Sequence, residues 1–227
     1  MDVREAVASR YSCRAFLPNP VPEATVREIV ESAARAPSGG NLQAWRAYAI
    51  AGARLEALKA LLAPRHGELP KGEGGEYQIF PTDLKEPYRT RRFAVGEQLY
   101  RAIGVAREDR PGRYRQYAKN FEFFGAPVGL FFAIDRTMLP AQWADLGGFI
   151  QTVMVLARGY GLHTCPQEAW ITWQRTMRDF LKLPPELMLF CGMALGYADI
   201  QAPINSWRSP REPLEAFATF EGFEAQT

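Results

Sequence analysis

The sequence predicts an α+β fold, a sandwich in which helices are layered on a sheet of short strands. Helix-length segments carry apolar residues at helical spacing, and four or five apolar runs of strand length lie between them. No internal repeat and no linker divides the chain, so residues 1–227 are expected to form one domain. At 47% hydrophobic and 23% charged residues the composition is that of a globular protein, which excludes collagen, coiled coil and whole-chain disorder.

The first helix with a clear pattern spans 22–36, where Pro22 and Glu23 suit a first turn and Val26, Ile29, Val30 and Ala33 recur at helical spacing. It ends at Pro37-Ser38-Gly39-Gly40, a loop by composition. A strand follows at 47–51 and a helix at 55–62. Residues 64–87 are rich in Gly, Pro and charge without periodicity, which predicts a surface lid or a packed insertion. Helices are expected at 87–103 and 113–119, and the apolar run 128–134 has strand length. The segment 142–160 is the strongest helix and is apolar on nearly every side, which predicts burial all round, in the core or in a subunit interface. Gly147 and Gly148 inside it cost about 1 kcal/mol each against alanine, so a close neighbour is expected there. A short strand near His163, a helix at 173–181 and a strand at 187–195 complete the pattern. The rest, 199–227, reads as an extended arm with apolar teeth at Trp207, Phe217, Phe220 and Phe223.

Several function classes lose support at once. The 27 basic and 25 acidic side chains leave a net charge of +2, so no nucleic-acid or membrane partner is expected. The charged residues 1–5 lead into no apolar signal region, and the most apolar stretch, 147–157, falls short of the roughly 20 residues a membrane span requires. Three scattered cysteines, Cys13, Cys165 and Cys191, fit a reducing, cytoplasmic setting. His66 and His163 stand in no metal-ligand spacing, and no metal is expected. There is no G-x-S-x-G elbow, no P-loop and no G-x-G-x-x-G turn.

Four clusters remain. Ser9-Arg10-Tyr11-Ser12-Cys13-Arg14-Ala15-Phe16 supplies two guanidinium forks and a hydroxyl, the equipment that holds a phosphate, although a solvated basic face has the same composition. Ala36-Pro37-Ser38-Gly39-Gly40-Asn41-Leu42-Gln43 lets backbone approach a flat polar ligand, or caps a helix. Gly161 through Trp170 follows the apolar helix, with Pro166 fixing the backbone and the small Ala169 leaving room. Asn205-Ser206-Trp207-Arg208-Ser209-Pro210-Arg211 puts two more arginines on the arm.

In this order, RYSCRAF, APSGGNLQAW, DLGGFIQTVMVLARGYGL with CPQEAW, and NSWRSPREPL resemble the flavin-dependent nitroreductase family across nearly the whole chain. The resemblance implies a three-layer α+β sandwich with a central, mostly antiparallel sheet and an interlocked homodimer holding one FMN in each of two interface sites. Residue by residue, it implies that Arg10 and Ser12, beside Tyr11, face the FMN phosphate and Arg14 the pyrimidine edge. Arg211 completes the phosphate site, assisted by Arg208. Pro37, Ser38, Gly39 and Asn41 come from the partner subunit. Pro166, Gln167, Glu168 and Ala169 lie against the ring, with the backbone of Gln167 and Glu168 near N5. No side chain is assigned a catalytic role, because the flavin carries the reaction. Ser209 departs from the lysine that some family members carry two residues before the last arginine.

The implied activity is NAD(P)H-dependent, ping-pong reduction of nitroaromatic or similar electron-poor compounds. A quinone or flavin reductase, a reductive dehalogenase clamping a zwitterion with Glu76, Tyr77 and Lys85, and a non-enzymatic flavin-binding dimer are the alternatives. Phe93, Phe123, Phe124 and Tyr88 are candidates for an aromatic substrate wall, with ordinary core packing as the competing role.

Overall fold

The computed structural model describes residues 1–69 and 71–223, so the last residues of the predicted arm lie outside the described residues. The elements in chain order are α1 (Val3–Ser9), α2 (Glu23–Ala33), β1 (Trp45–Ala51), α3 (Gly52–Leu62), α4 (Arg65–Glu68), α5 (Tyr88–Ala102), α6 (Arg110–Ala118), β2 (Val128–Asp135), α7 (Pro140–Gly159), β3 (His163–Gln167), α8 (Gln174–Leu181) and β4 (Leu187–Gly196). The strands form one sheet in the order β1-β2-β4-β3, with every neighbouring pair antiparallel.

Strand alternation sends side chains to both faces, and both faces are covered. Leu130, Phe132 and Ile134 of β2 point toward α2 and α7, where Ile29, Leu146, Phe149 and Val153 meet them. Phe131 points the other way, into Leu55, Leu58 and Leu62 of α3 together with Phe123, Trp170 and Met177. The result is three layers, and β2 reads as the continuous apolar run of a strand buried on both sides. The β2–β4 register shifts between Phe132 and Ala133, which pair with Cys191 and Leu189 and leave Phe190 as the extra residue. This bulge puts Met188 and Cys191 on one face despite their odd spacing.

Two glycines in the central strands mark where aromatic rings lie flat on the sheet. A Cβ at Gly192 would strike the Trp170 ring, and one at Gly129 would strike Phe123. Phe123 and Phe124 are buried in this core and not in a substrate wall.

This chain's own core covers α7 in part, and residues 64–87 include a packed stretch, one of the two arrangements expected of them. Within this chain α7 is buried on one face only: Ala144, Gly147 and Gln151 are exposed, and nothing lies within 4 Å of a Cβ placed at Gly147 or Gly148. The periodicity of an apolar helix does not say which molecule covers each face. In residues 64–87, three side chains dock one stretch onto the sandwich. The Glu73 carboxylate accepts from Thr176 N at 3.0 Å and Thr176 Oγ1 at 2.7 Å. Glu76 pairs with Arg136, and with Arg178 at 3.1 Å. The Tyr77 ring stacks on Phe190 and meets Trp143 edge-on. Glu76 and Tyr77 are thereby engaged within the fold, which removes them from the imagined zwitterion clamp. Among the described residues, no helix is long and apolar enough to cross a membrane.

Candidate functional site

Two segments far apart in sequence meet beside α1. After α1 the chain runs extended: Ser12 bridges Thr164 of β3, Cys13 N donates to Thr164 O at 2.9 Å, and Phe16 bridges Ala198. From the other end a 3₁₀ turn, Pro203–Asn205, delivers Asn205, which is 4% exposed. Its Oδ1 accepts from Arg14 N at 2.8 Å, and its Nδ2 donates to Ala15 O at 2.9 Å and Asp199 O at 2.8 Å. One amide thus satisfies three backbone groups and ties the ends of the fold together.

At this junction lies a cavity of about 550 Å³. Arg10, Tyr11, Ser12 and Arg14 form one wall, and Trp207, Arg208, Ser209 and Arg211 form another. Val95 and Leu99 of α5 and Gln151 of α7 close it. Among the described residues none of the four cavity arginines has a carboxylate within 4.0 Å. Their geometry is set by backbone oxygens instead. Arg208 lies 3.6 Å over the Tyr11 ring and donates from Nη1 to Asn205 O and Trp207 O, both at 2.9 Å. Arg211 Nη1 donates to Ser209 O at 3.1 Å, Ser209 Oγ at 2.8 Å and Pro210 O at 3.0 Å. Arg14 Nη1 donates to Ser12 O at 3.2 Å.

The electrostatics of this corner are one-sided. Burial, and then the charge of Arg211, holds the Arg10 guanidinium below its ordinary range. A fifth arginine, Arg158 at the end of α7, is buried and donates to Leu162 O at 2.7 Å, His163 Nδ1 at 3.1 Å and Ser9 Oγ at 3.1 Å. Burial, followed by the charges of Arg158 and Arg208, pushes His163 down to about 4. The imidazole is therefore neutral near pH 7, with Nδ1 accepting from Arg158 and the proton on Nε2. A cavity lined by guanidiniums without internal counter-ions attracts an anion. Trp207 Nε1 is buried in the same corner and has no acceptor among the described residues.

The family model described as Nitroreductase family matches residues 7–197. The chain belongs to the nitroreductase family. It is 42% identical to a 4-nitrobenzoate reductase of Pseudomonas putida, covering 98% of this chain and 97% of that one. It is 38% identical to a chloronitrobenzene nitroreductase of Comamonas testosteroni, over 96% of each chain. Among solved structures, the FMN and NADPH-dependent nitroreductase NfnB from Sphigopyxis sp. strain HMH superimposes with a TM-score of 0.94 at 44% identity, over 98% of this chain and 100% of that chain.

The other residues singled out from the nitroreductase resemblance lie outside the cavity. Pro37, Ser38, Gly39 and Asn41 form the turn after α2, where Gly40 and Asn41 have φ of 59° and 56°. Gly39 N donates to Asp145 Oδ2 at 2.9 Å, which pins this turn to α7. Pro166, Gln167, Glu168 and Ala169 close β3 and begin the next 3₁₀ turn. The Gln167 side chain points inward, its Nε2 donating to Asn120 O at 2.6 Å and its Oε1 accepting from Trp170 Nε1 at 3.3 Å. Glu168 is at the surface, with its carboxyl held above the usual range by the protein around it. Tyr88 and Phe93 are exposed on α5, and Phe93 lines a second cavity of about 650 Å³ that shares Gly96 with the first.

Sequence reasoning missed Asn205, Arg158 and Trp207. Asn205 and Trp207 stand in a quoted motif, but a buried amide and an apolar tooth read as structure. Arg158 read as the stop of an apolar helix.

Proposed function

We propose that this protein is a cytoplasmic, homodimeric, FMN-dependent NAD(P)H oxidoreductase that reduces nitroaromatic compounds. The observation that carries the reading is the cavity where both ends of the fold present Arg10, Arg14, Arg208 and Arg211, none of them paired with a carboxylate among the described residues. A phosphate dianion supplies the missing charge, and the Ser12 hydroxyl in the same wall suits its oxygens. The residues present therefore fit FMN. Arg10, Ser12 and Arg211, with Tyr11 and Arg208 beside them, would hold the phosphate. Arg14 faces the pyrimidine edge and stabilises negative charge there. Pro166, Gln167, Glu168 and Ala169 would back the ring, and a backbone N–H of Gln167 or Glu168 would serve its N5. Pro37, Ser38, Gly39 and Asn41 reach the site of the partner subunit.

The bound flavin supplies two-electron transfer between a nicotinamide and the nitro compound, each occupying the same place in turn. With one NADPH and one proton, a nitro group becomes nitroso and releases water, and a second pair takes nitroso to hydroxylamine. Relatives described as 4-nitrobenzoate and chloronitrobenzene reductases support nitroaromatic substrates, and an FMN and NADPH-dependent one supports the cofactors.

The dimer rests on three exposed features. These are the outward face of α7, the edge of β1, and Phe217, Phe220 and Phe223, which are 70%, 63% and 79% exposed. Three free, buried cysteines support a reducing compartment.

The test is the visible spectrum of purified protein during anaerobic NADPH addition, followed by 4-nitrobenzoate, chloronitrobenzene, a quinone and free flavin. Bleaching by NADPH and faster reoxidation by the nitro compounds than by the others is the expected result. A colourless protein that takes up no FMN overturns the reading, and bound yellow flavin that NADPH and NADH both fail to bleach favours a flavin carrier. Sedimentation as a monomer overturns the dimer.

A further inference from the structure

Residues 64–87 line no part of the arginine cavity, yet the stretch 72–77 is fastened to the molecule at both ends. At its start Arg65 of α4 donates to Thr176 Oγ1 and lies 3.6 Å from Glu73, whose carboxylate also takes the Thr176 N–H and hydroxyl. At its end Glu76 pairs with Arg136 and Arg178, and the Tyr77 hydroxyl donates to Phe190 O. Its supports are thus α8, β4 and the residue that follows β2.

Between these anchors the backbone grips the 3₁₀ turn Glu168–Thr172. Glu73 N donates to Thr172 O at 2.6 Å, and Gly74 bridges Trp173. The approach is too close for side chains: a Cβ at Gly72, where φ is 72°, would strike Thr172, and one at Gly75 would strike Ile171. Thr172 passes the grip on, because its Oγ1 donates to Ala169 O at 2.7 Å. Before the turn, the Gln167 side chain holds Asn120 O at 2.6 Å and Trp170 Nε1 at 3.3 Å. Trp170 and Ile171 are buried, whereas Glu168 is exposed and Ala169 half-buried. One face of the turn is therefore clamped and the other left open, as a rigid backing for a ligand requires.

We propose that residues 72–77 are a strap that positions the turn behind the flavin, with Thr172 as the positioning residue that carries its grip to Ala169. This rests on the proposal that Pro166, Gln167, Glu168 and Ala169 back the ring of FMN. The strap lies apart from the arginines, so it governs where the ring's backing sits and not how the phosphate is held. That matters for transfer to the flavin, since a misplacement of about 1 Å costs about a hundredfold in rate.

Thr172→Val keeps the side chain's shape and removes its hydroxyl, Thr172→Ser restores the donor, and Gly72→Ala forces the strap off Thr172. Tyr117, which also hydrogen-bonds the Thr172 side chain, is changed to Phe as the control. Amide hydrogen exchange over residues 166–172 is followed in flavin-free protein, and FMN affinity and anaerobic reduction by NADPH in the loaded enzyme. Thr172→Val and Gly72→Ala should exchange about tenfold faster there, with FMN affinity within about threefold of wild type. Their reduction at saturating NADPH should slow about tenfold while the half-saturating NADPH concentration stays put. Thr172→Ser and Tyr117→Phe should match wild type in both. Should Gly72→Ala fail to fold, the isosteric Thr172→Val decides. Unchanged exchange would mean that the strap holds nothing, and faster exchange with an unchanged reduction rate would mean that the turn's position is immaterial to the flavin; either overturns the proposal. Loss of FMN with an unchanged rate in the loaded fraction assigns the strap to folding alone and also overturns it. Wild-type protein that takes up no FMN defeats the underlying reading instead, a failure kept distinct by exchange data taken without flavin.

Discussion

Replacing Asn205 with alanine tests whether the site depends on one buried amide. The substitution removes the acceptor of Arg14 N–H and the donor to the Ala15 and Asp199 carbonyls, three bonds of 2.8–2.9 Å around a residue that is 4% exposed. At about 1 kcal/mol for each bond lost, and more where a buried group is left unpaired, the cost is about 3 kcal/mol or above. For a chain of this length that corresponds to a fall of about 6–12 °C in melting temperature. Because Arg14 hangs from Asn205, FMN affinity should fall by about tenfold as well, one directed contact being worth about 1.4 kcal/mol. The assay is thermal unfolding of flavin-free protein at fixed concentration, paired with an FMN titration. Gln201→Ala at a nearby exposed position serves as the control, with an effect of about 0.5 kcal/mol or less. A fall below about 2 °C with FMN affinity intact would refute the claim that this amide fastens the site.

Three further outcomes follow from the same corner. Arg211→Ala should lose FMN during purification, because charge-assisted bonds worth about 1.5–3 kcal/mol each are removed; stoichiometric flavin in the purified variant would contradict the phosphate assignment. The neutral His163, with its pKa pushed to about 4, binds its proton less readily folded than unfolded. Its contribution to stability is thus complete above pH 6.5 and is lost as the pH falls from there through 4, by up to about 3 kcal/mol. His163→Gln, which keeps an acceptor for Arg158, should flatten that part of the acid-unfolding profile of the flavin-free protein. Burial raises the Cys165 thiol despite Arg14 and Arg10 nearby, so it is no ready nucleophile. Cys165→Ser should turn over nitrobenzoate at close to the wild-type rate, and a large loss in steady-state kinetics would revive thiol chemistry.

The elements were legible because their signals are local. The run predicted as a strand at 128–134 is Val128–Asp135, and the one at 187–195 is Leu187–Gly196. The helix read at 22–36 ends earlier, at Ala33, where the chain turns through Ala34 toward Pro37. What periodicity could not reveal was which surface meets which. The apolar circumference of α7 announces burial, yet its own chain covers only one face. At the site, the order of four motifs supplied the candidate residues, but the joint between Arg14 and Asn205 spans 191 positions and leaves no local trace. Arg158 escaped notice for a similar reason: a lone arginine ending an apolar helix reads as a stop, and only folding places it against His163.

The two edges of the sheet show why the site lies where it does. β3 is an edge strand, and its outer side is covered by the chain's own segment after α1, through the Ser12–Thr164 bridge and the Cys13 N–H. That segment carries Arg10 and Arg14, so blunting an exposed edge and presenting the guanidiniums are the work of the same residues. β1 is the opposite edge and pairs only with β2 among the described residues, leaving one row of backbone groups open. Within the proposed dimer a second subunit is what closes this edge and the bare face of α7. The α2–α7 layer joins these surfaces to the Pro37–Asn41 turn, which Gly39 fastens to Asp145 of α7. If the proposed dimer associates through α7, that bond sets the turn relative to the partner, and Asp145→Ala should lower FMN affinity in a titration while the melting temperature of the flavin-free protein changes little.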